Sequence, residues 1–481
     1  MVILYIKKRI LYLLSIILLM LIVFLTYSLH SSNFINTLAQ LNSAERIHFS
    51  TIVVDTHCDT LNKILDENGF PHINLGENTN FDVDILKLYE GGINIQFFAV
   101  WAPERYYPGQ VFQQTLALLN GLHYTIERNP YAIGLASSIN DIDRLVQGGR
   151  IVAIAAIEGA DSLKEPDGSI LLQQYYDLGV RVIAPTWNDS NQLAEGCRGT
   201  YYDNTLSPKG LSDFGKQIIK EANQLGLIID VSHLSQASFW DVMDLIEEPV
   251  IASHSGVYSL KKHARNLTDE QIIAIAEKGG VVQILYHKHL LADPGTHVTV
   301  KTVVDHFDYV INLVGIDHVG LGSDFDGRGC KMPEDLTNTS MVVNITQEML
   351  RRGYSKTGIE KILGKNTLRL LSEVWKESAP THFGDNNLIP IIPSHTGEII
   401  QNPYPTLSAR ISDNKDIEIN DYNWQVILDG MLYPHQFQES TGTISILLKE
   451  QLQEGFHVIT FAATNHSDKT IRQTMIFYTE Y

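Results

Sequence analysis

Apolar residues are distributed along this chain in three different ways. From Ile10 to Tyr27 they form an almost unbroken run of about 18 residues. Between about residues 50 and 325 they gather into short, often β-branched runs separated by helix-like stretches. After about Ser378 they alternate with polar positions. Each pattern predicts a different architecture.

Eight runs mark the middle region: TIVVD (51–55), INIQFFAV (93–100), IVAIAAI (151–157), VRVIAP (180–185), LIIDVS (227–232), PVIAS (249–253), VVQILY (281–286) and HVGLGS (318–323). Continuous apolar character predicts strands buried on both faces, and intervening helices make them parallel. Ser212 is placed to cap a helix that stops at Gly226, and Thr268 with Gln271 forms a capping box for one that ends at Gly279. The expectation is an α/β fold, a (β/α)8 TIM-type barrel over residues 46–378.

In the last region, TLSARIS (406–412), NWQVILDG (423–430), GTISILL (442–448), HVITFAAT (457–464) and TMIFYT (474–479) read as strands, and Asp429-Gly430 as a hairpin turn. They predict an immunoglobulin-like β-sandwich over 388–481, with nothing catalytic in it. The first 45 residues read as an anchor and stalk. Lys7, Lys8 and Arg9 precede the apolar run, whose length is close to the bilayer minimum. The basic cluster stays inside, so a membrane-anchored, extracytoplasmic catalytic part is expected. A cleaved signal peptide, leaving a secreted or periplasmic protein, is the alternative. The flank TYSLHSSNF offers it no good small-residue cleavage site.

Charge and cysteines narrow the picture. A formal net charge of −19 leaves no excess of Lys and Arg for phosphates, so nucleic acid is not an expected partner. Three cysteines are too few for a disulfide framework. Oligomeric state is left open, a homodimer included.

Catalytic groups in such barrels sit at the C-terminal ends of strands. There the chain carries His57 and Asp59 (DTHCD), Glu158 (IEGAD), His233 (DVSH) and His254 (ASHS). A lone histidine after a strand is usually structural, and a lone buried glutamate usually pairs with a base. Five such groups at the same end of successive strands are harder to dismiss. His57 and Asp59, two apart, share a side and can reach one metal, while Cys58 points away as a small buried residue. A glutamate can bridge two cations. Nitrogen and oxygen donors with open positions suit zinc, with manganese or cobalt as substitutes.

These motifs, in order with GGINIQFF, GLSDFGKQIIKEANQLGLIIDVSH, ARNLTDEQ, VGLGSDFDG and GKNTLRL, resemble the membrane (renal) dipeptidases, the M19 metallopeptidases, from about Ile52 to Leu370. The resemblance implies two zinc ions, one held by His57 and Asp59, the other by His233 and His254, with Glu158 bridging. It implies that Arg265 binds the substrate carboxylate and that Asp324 stands beside the metal-bound water and carries its proton. Dipeptide hydrolysis by a metal-bridging hydroxide follows as the expected activity. Without the flanking motifs, Arg265 would read equally well as a surface ion-pair partner and Asp324 as a loop cap.

One departure concerns the pocket. Animal-type members read like LTH after the fourth strand, whereas APTWND puts Trp187 there, as in bacterial-type relatives. An indole N–H donates one hydrogen bond and exchanges no proton near neutrality. Whether Trp187 donates to the carbonyl or only lines the pocket stays open, and Tyr286 is expected as a further wall residue. Cys197 and Cys330 are placed where they could meet near the mouth. Two other functions compete: a different amidohydrolase reaction, such as lactam opening or deamination, and a non-catalytic surface binding protein. Retention of every ligand argues against the second.

Overall fold

The structure is a computed structural model that describes residues 42–199, 207–375, 391–394, 399–411, 422–438, 441–448, 450–466 and 469–481. The expected anchor and stalk lie outside the described residues except for residues 42–45. Among the described residues no helix is long and apolar enough to cross a membrane.

All eight runs of the middle region form strands. In chain order they are β1 (Val53–Cys58), β2 (Ile93–Trp101), β4 (Ile151–Glu158), β5 (Val180–Ala184), β6 (Ile228–Ile229), β7 (Ile251–Ser255), β8 (Val281–Ile284) and β9 (Val319–Leu321), with a ninth, β3 (Ile133–Leu135), before β4. They pair in parallel in the order β6-β5-β4-β2-β1-β9-β8-β7. The two ends of this path are joined by a parallel bridge from Asp230 to Ile251, where the Val231 N–H donates to the Ile251 carbonyl at 2.8 Å. The sheet is therefore consistent with a TIM-type barrel. The unexpected β3 pairs with residues 151–153 of β4, below the stretch that β5 occupies.

Burial on both faces explains the continuous apolar runs. One cluster takes Val54, Phe97, Ile154, Val182, Ile228, Ile251 and Val281 from seven strands. A second joins their other faces, such as Phe98, Ala153 and Val282, to the surrounding helices. β9 contributes Gly320 instead, and Gly322 follows it. A Cβ on Gly322 would stand 2.0 Å from the Ser253 carbonyl oxygen, so no larger residue fits there. Four helices matter below: α1 (Val111–Arg128), α2 (Gly168–Asp177), α3 (Asp213–Gln224) and α4 (Asp269–Glu277). The last two start as expected, at Ser212 and at the Thr268–Gln271 capping box.

The C-terminal region holds two sheets. One has the order β10 (Ile391–Pro393), β12 (Thr406–Ile411), β16 (Thr443–Leu447), β15 (Gln436–Gln438). The other runs β11 (Ile399–Ile400), β18 (Thr470–Thr479), β17 (Gly455–Asn465), β13 (Tyr422–Leu428), β14 (Met431–Tyr433). Leu407, Ile444, Val426 and Phe461 from both sheets share one core. Asp429 and Gly430 turn β13 into β14 with φ of 50° and 82°, the left-handed pair that a tight hairpin needs.

β17 is buried on both faces because its outer one lies on the barrel's helices. Phe456 meets Phe70 and Tyr478 with ring centroids 5.4 and 4.9 Å away. Gln113 on α1 accepts from the Phe456 N–H at 2.5 Å and donates to its carbonyl at 2.9 Å. Gln174 on α2 accepts from the Gly430 N–H at 2.7 Å and donates to Thr460 at 3.1 Å. Asp177 receives Arg472 at 2.6 Å and Thr474 at 3.1 Å.

Candidate metal centre

Alternation along β4 buries Val152, Ile154 and Ala156 inside the sheet, and the next residue in that series, at the C-terminal end, is Glu158. β1 reaches the same place differently. Its register shifts between Asp55 and Cys58, so Cys58 joins the helix-facing core while His57 turns inward. His233 follows β6 at φ 68°, and His254 lies within β7. A non-glycine residue holds such a φ only where its surroundings impose it, and His233, Asp324 and Asp326 all do so near this end of the sheet.

The five expected ligands converge on one point. Glu158 Oε2 lies 3.3 Å from His57 Nε2, and Glu158 Oε1 lies 2.9 Å from His233 Nε2 and 3.4 Å from His254 Nε2. Asp59 Oδ2 is 3.6 Å from His57 Nε2. Two sets share Glu158, namely His57, Asp59, Glu158 and Glu158, His233, His254, and a third joins Asp324 to His57 and His254. All are buried. His57 Nε2, Asp59 Oδ1 and Glu158 Oε2 make no hydrogen bond although each is enclosed. Buried polar atoms are normally paired. Orphaned ligand atoms aimed at a common centre fit bound metal.

Neighbouring groups fix the imidazoles as ligands. Asn188 Oδ1 lies 2.9 Å from His233 Nδ1, which takes the proton and leaves the Nε2 lone pair facing the centre. Ser253 donates to the Asp230 carboxylate, so its oxygen accepts from His254 Nδ1 at 2.8 Å. Burial, with Arg265 and His57 nearby, keeps both rings well below the usual histidine range, hence neutral. His57 behaves oppositely. Burial opposes its charge, but the carboxylates of Glu158 and Asp59 prevail and raise it well above its ordinary value. Burial also raises Glu158 to about 7, against the pull of His57. The carboxylate cluster thus demands positive charge.

A cavity of about 250 Å³ opens over the centre, and Arg265, Trp187 and Asp324 reach its wall. Arg265 is buried and donates from Nη2 to the His254 carbonyl at 2.7 Å; its guanidinium has no other hydrogen bond among the described residues. Trp187 is gripped edgewise by Trp101 and Tyr106, with centroids at 5.3 and 5.7 Å. Burial lifts the Asp324 carboxyl to about 6 despite His57, and the Cys330 thiol donates to it at 3.3 Å.

One expectation needs correction and one open question is answered. Tyr286 does not line the cavity: it is fully buried, packed on Phe325 at 5.6 Å, within the helix-facing core. Its parity is that of Val282 and Ile284, which face outward too. Cys197 and Cys330 both reach the cavity wall but are free thiols, and Cys197 instead donates to Asn188 at 3.2 Å. Sequence reasoning passed over Asn188, Trp101, His263 and Arg328. Trp101 carried a signal, since it ends β2 in the inward parity of Ile95 and Phe97.

A parallel barrel-type sheet with paired imidazole–carboxylate sets at its C-terminal end defines a metal-dependent hydrolase class of site. The profile of the membrane dipeptidases, peptidase family M19, matches residues 41–383, and the chain belongs to that family. It is 35% identical over 273 residues to a Klebsiella pneumoniae protein described as an uncharacterized protein in the pqqA 5' region, covering 56% of this chain and 98% of that one. With the dipeptidase tcpJ of Claviceps purpurea it shares 30% over 322 residues, 64% of this chain and 72% of the relative. The crystal structure of the probable dipeptidase PvdM from Pseudomonas aeruginosa superposes with a TM-score of 0.62 at 26% identity, over 70% of this chain and 98% of that one.

Proposed function

We propose that this chain is a zinc-dependent dipeptidase. The observation that carries the reading is Glu158, a buried carboxylate with three histidine Nε2 atoms within 3.4 Å and the Arg265 guanidinium on the wall of the same cavity. His57 and Asp59 would hold one ion, His233 and His254 the other, and Glu158 both. Ions bound there would supply Lewis acidity, making a bound water more acidic and polarising the scissile carbonyl.

The chain's own groups do the rest. Arg265, tethered at one nitrogen, offers its remaining donors as a fork to the C-terminal carboxylate of a short peptide. Asp324, whose carboxyl burial raises to about 6, is still ionised at neutral pH, so it can take the proton of the attacking water and deliver it to the leaving amine. Trp187 walls the pocket with its indole N–H unused by any described residue. The dipeptidases among its relatives support dipeptides as substrates.

The division into anchor (1–45), barrel (46–378) and immunoglobulin-like module (388–481), and an extracytoplasmic location, complete the proposal. The basic Lys7–Arg9 cluster ahead of the apolar run supports the topology. The decisive experiment measures zinc per chain and turnover of L,L and L,D dipeptides before and after chelation, alongside Arg265→Lys. Two zinc ions, loss of turnover in chelator and a drop of about 10²-fold in kcat/KM for the lysine variant are expected. Full activity in chelator, or dipeptide turnover undiminished by the lysine change, would overturn it.

A further inference from the structure

The cavity over the metal ligands presents more guanidinium groups than one C-terminal carboxylate requires, besides the Asp59, Glu158 and Asp324 carboxylates of the metal centre. Arg198, Arg265 and Arg328 all reach its wall, in a chain of net charge −19. The three are differently employed. Arg198 faces Asp189 at 3.5 Å, and that aspartate is also held by Arg105 at 3.2 Å. Arg265 is buried and tied to the His254 carbonyl. Arg328 has no acidic partner: among the described residues its guanidinium forms no ion pair and no hydrogen bond, and it is exposed.

Arg328 is nevertheless held in place. Its guanidinium carbon stands 4.3 Å from the centroid of Tyr106, whose ring packs on Trp101 at 5.4 Å and Trp187 at 5.7 Å. Stacking on an aromatic face positions the planar group without using its N–H donors. A positioned guanidinium with free donors at a cavity wall is a receptor for a planar anion.

The two arginines stand on different sides of Glu158. Arg265 is bonded to the strand that bears His254. Arg328 lies by the β2 wall: Trp101 pairs in register with Glu158, and Tyr107, beside Tyr106, donates to Asn62, whose own N–H donates to the Asp59 carbonyl. With the substrate's C-terminal carboxylate on Arg265, as in the function proposed above, a carbonyl over Glu158 directs the first residue toward Asp59, Trp101 and Arg328. We infer that Arg328 is a specificity residue: it receives a second carboxylate, carried by the side chain of the substrate's first residue, and favours dipeptides that begin with Asp or Glu. This inference rests on the dipeptidase reading and on Arg265 as its carboxylate anchor.

The test compares isosteric pairs on the zinc-loaded full chain. Glu-Ala and Gln-Ala differ only in charge at the first position, Ala-Glu and Ala-Gln only at the second, and Ala-Ala reports basal turnover. Wild type should prefer Glu-Ala over Gln-Ala by about tenfold in kcat/KM, with little preference at the second position. Arg328→Gln should bring the first ratio near one, Arg328→Lys should keep part of it, and added salt should shrink it because the residue is exposed. Glu-Ala and Gln-Ala turned over equally by wild type, an unchanged ratio in Arg328→Gln, or an equal preference at both positions would each overturn the inference while Ala-Ala turnover leaves the dipeptidase reading standing. Failure of wild type on Ala-Ala and every other peptide of the set would sink both.

Discussion

The metal end of the barrel and the face that carries the β-sandwich are both buried and both polar, yet they treat polar groups in opposite ways. On the sandwich face, Gln113 and Gln174 each both donate and accept across the junction, and Asp177 receives two donors. At the metal end, His57, Asp59 and Glu158 each keep an enclosed atom with no partner and these atoms converge, whereas Arg472 Nη2 on the sandwich face, also enclosed without a partner, stands alone. Satisfied polar atoms hold two parts of a chain together; orphaned ones that converge mark where something else binds.

The sharpest way to break this contrast is to alter the atom at its centre. Glu158→Gln keeps the shape of the side chain but removes the charge that both ligand sets share. Turnover of dipeptides should fall by about 10³-fold or more, and bound metal should drop below two per chain, with the far-UV circular dichroism unchanged. Unaltered metal content would mean that Glu158 is a structural acid. Because its burial penalty goes with its charge, the variant should melt no lower than the metal-free wild type.

A large apolar deletion on the sandwich face should do the reverse. Phe456 is buried between Phe70 and Tyr478, and Phe456→Ala should cost about 3 kcal/mol in denaturant unfolding. Activity per folded molecule should stay within about twofold, since none of these rings reaches the cavity. A selective loss of turnover with no loss of stability would show that the two regions are coupled.

The two regions also differed in how far the residues announced them. All eight apolar runs became the strands of the parallel path, because double burial writes itself as continuous hydrophobicity. β3 was missed: with three residues and a glycine in the middle, it leaves no run to notice. The five ligands converge as their strand-end positions imply. Tyr286 was misplaced because its position at a strand end was weighed without its parity, which the outward Val282 and Ile284 already fixed. The same parity rule would have put Trp101 at the mouth. Asn188, which orients His233, and Arg328, which stacks on Tyr106, depend on loop geometry that no periodicity encodes, while Ser253 orients His254 from within β7. The docking of β17 was legible only as an unusually apolar strand, since its partners Gln113 and Gln174 lie roughly 250 to 350 residues away.

The smallest expected effect concerns proton linkage on the sandwich side. His457 Nδ1 lies 2.6 Å from Asp429 Oδ2, and its Nε2 lies 2.8 Å from the Gln453 carbonyl oxygen. Two acceptors on one imidazole require both ring protons. Burial works against that charge, but the hydrogen bond and charge of Asp429 overcome it, so the ring titrates above 6.5 in the folded chain. A raised folded pKa gives stability that is fully present below the unfolded value and lost as pH rises through the folded one. Buried His306 has the contrary sign: burial lowers it to about 4, and its contribution is lost as pH falls below the unfolded value. The total slope therefore mixes the two, and the difference between wild type and His457→Gln isolates one. The stability gap between them should be widest below pH 6.5 and should narrow as pH rises through the folded pKa of His457, read from Tm across pH. A gap that widens with pH would mean that His457 is neutral in the folded chain and that the Asp429 turn is held by shape alone.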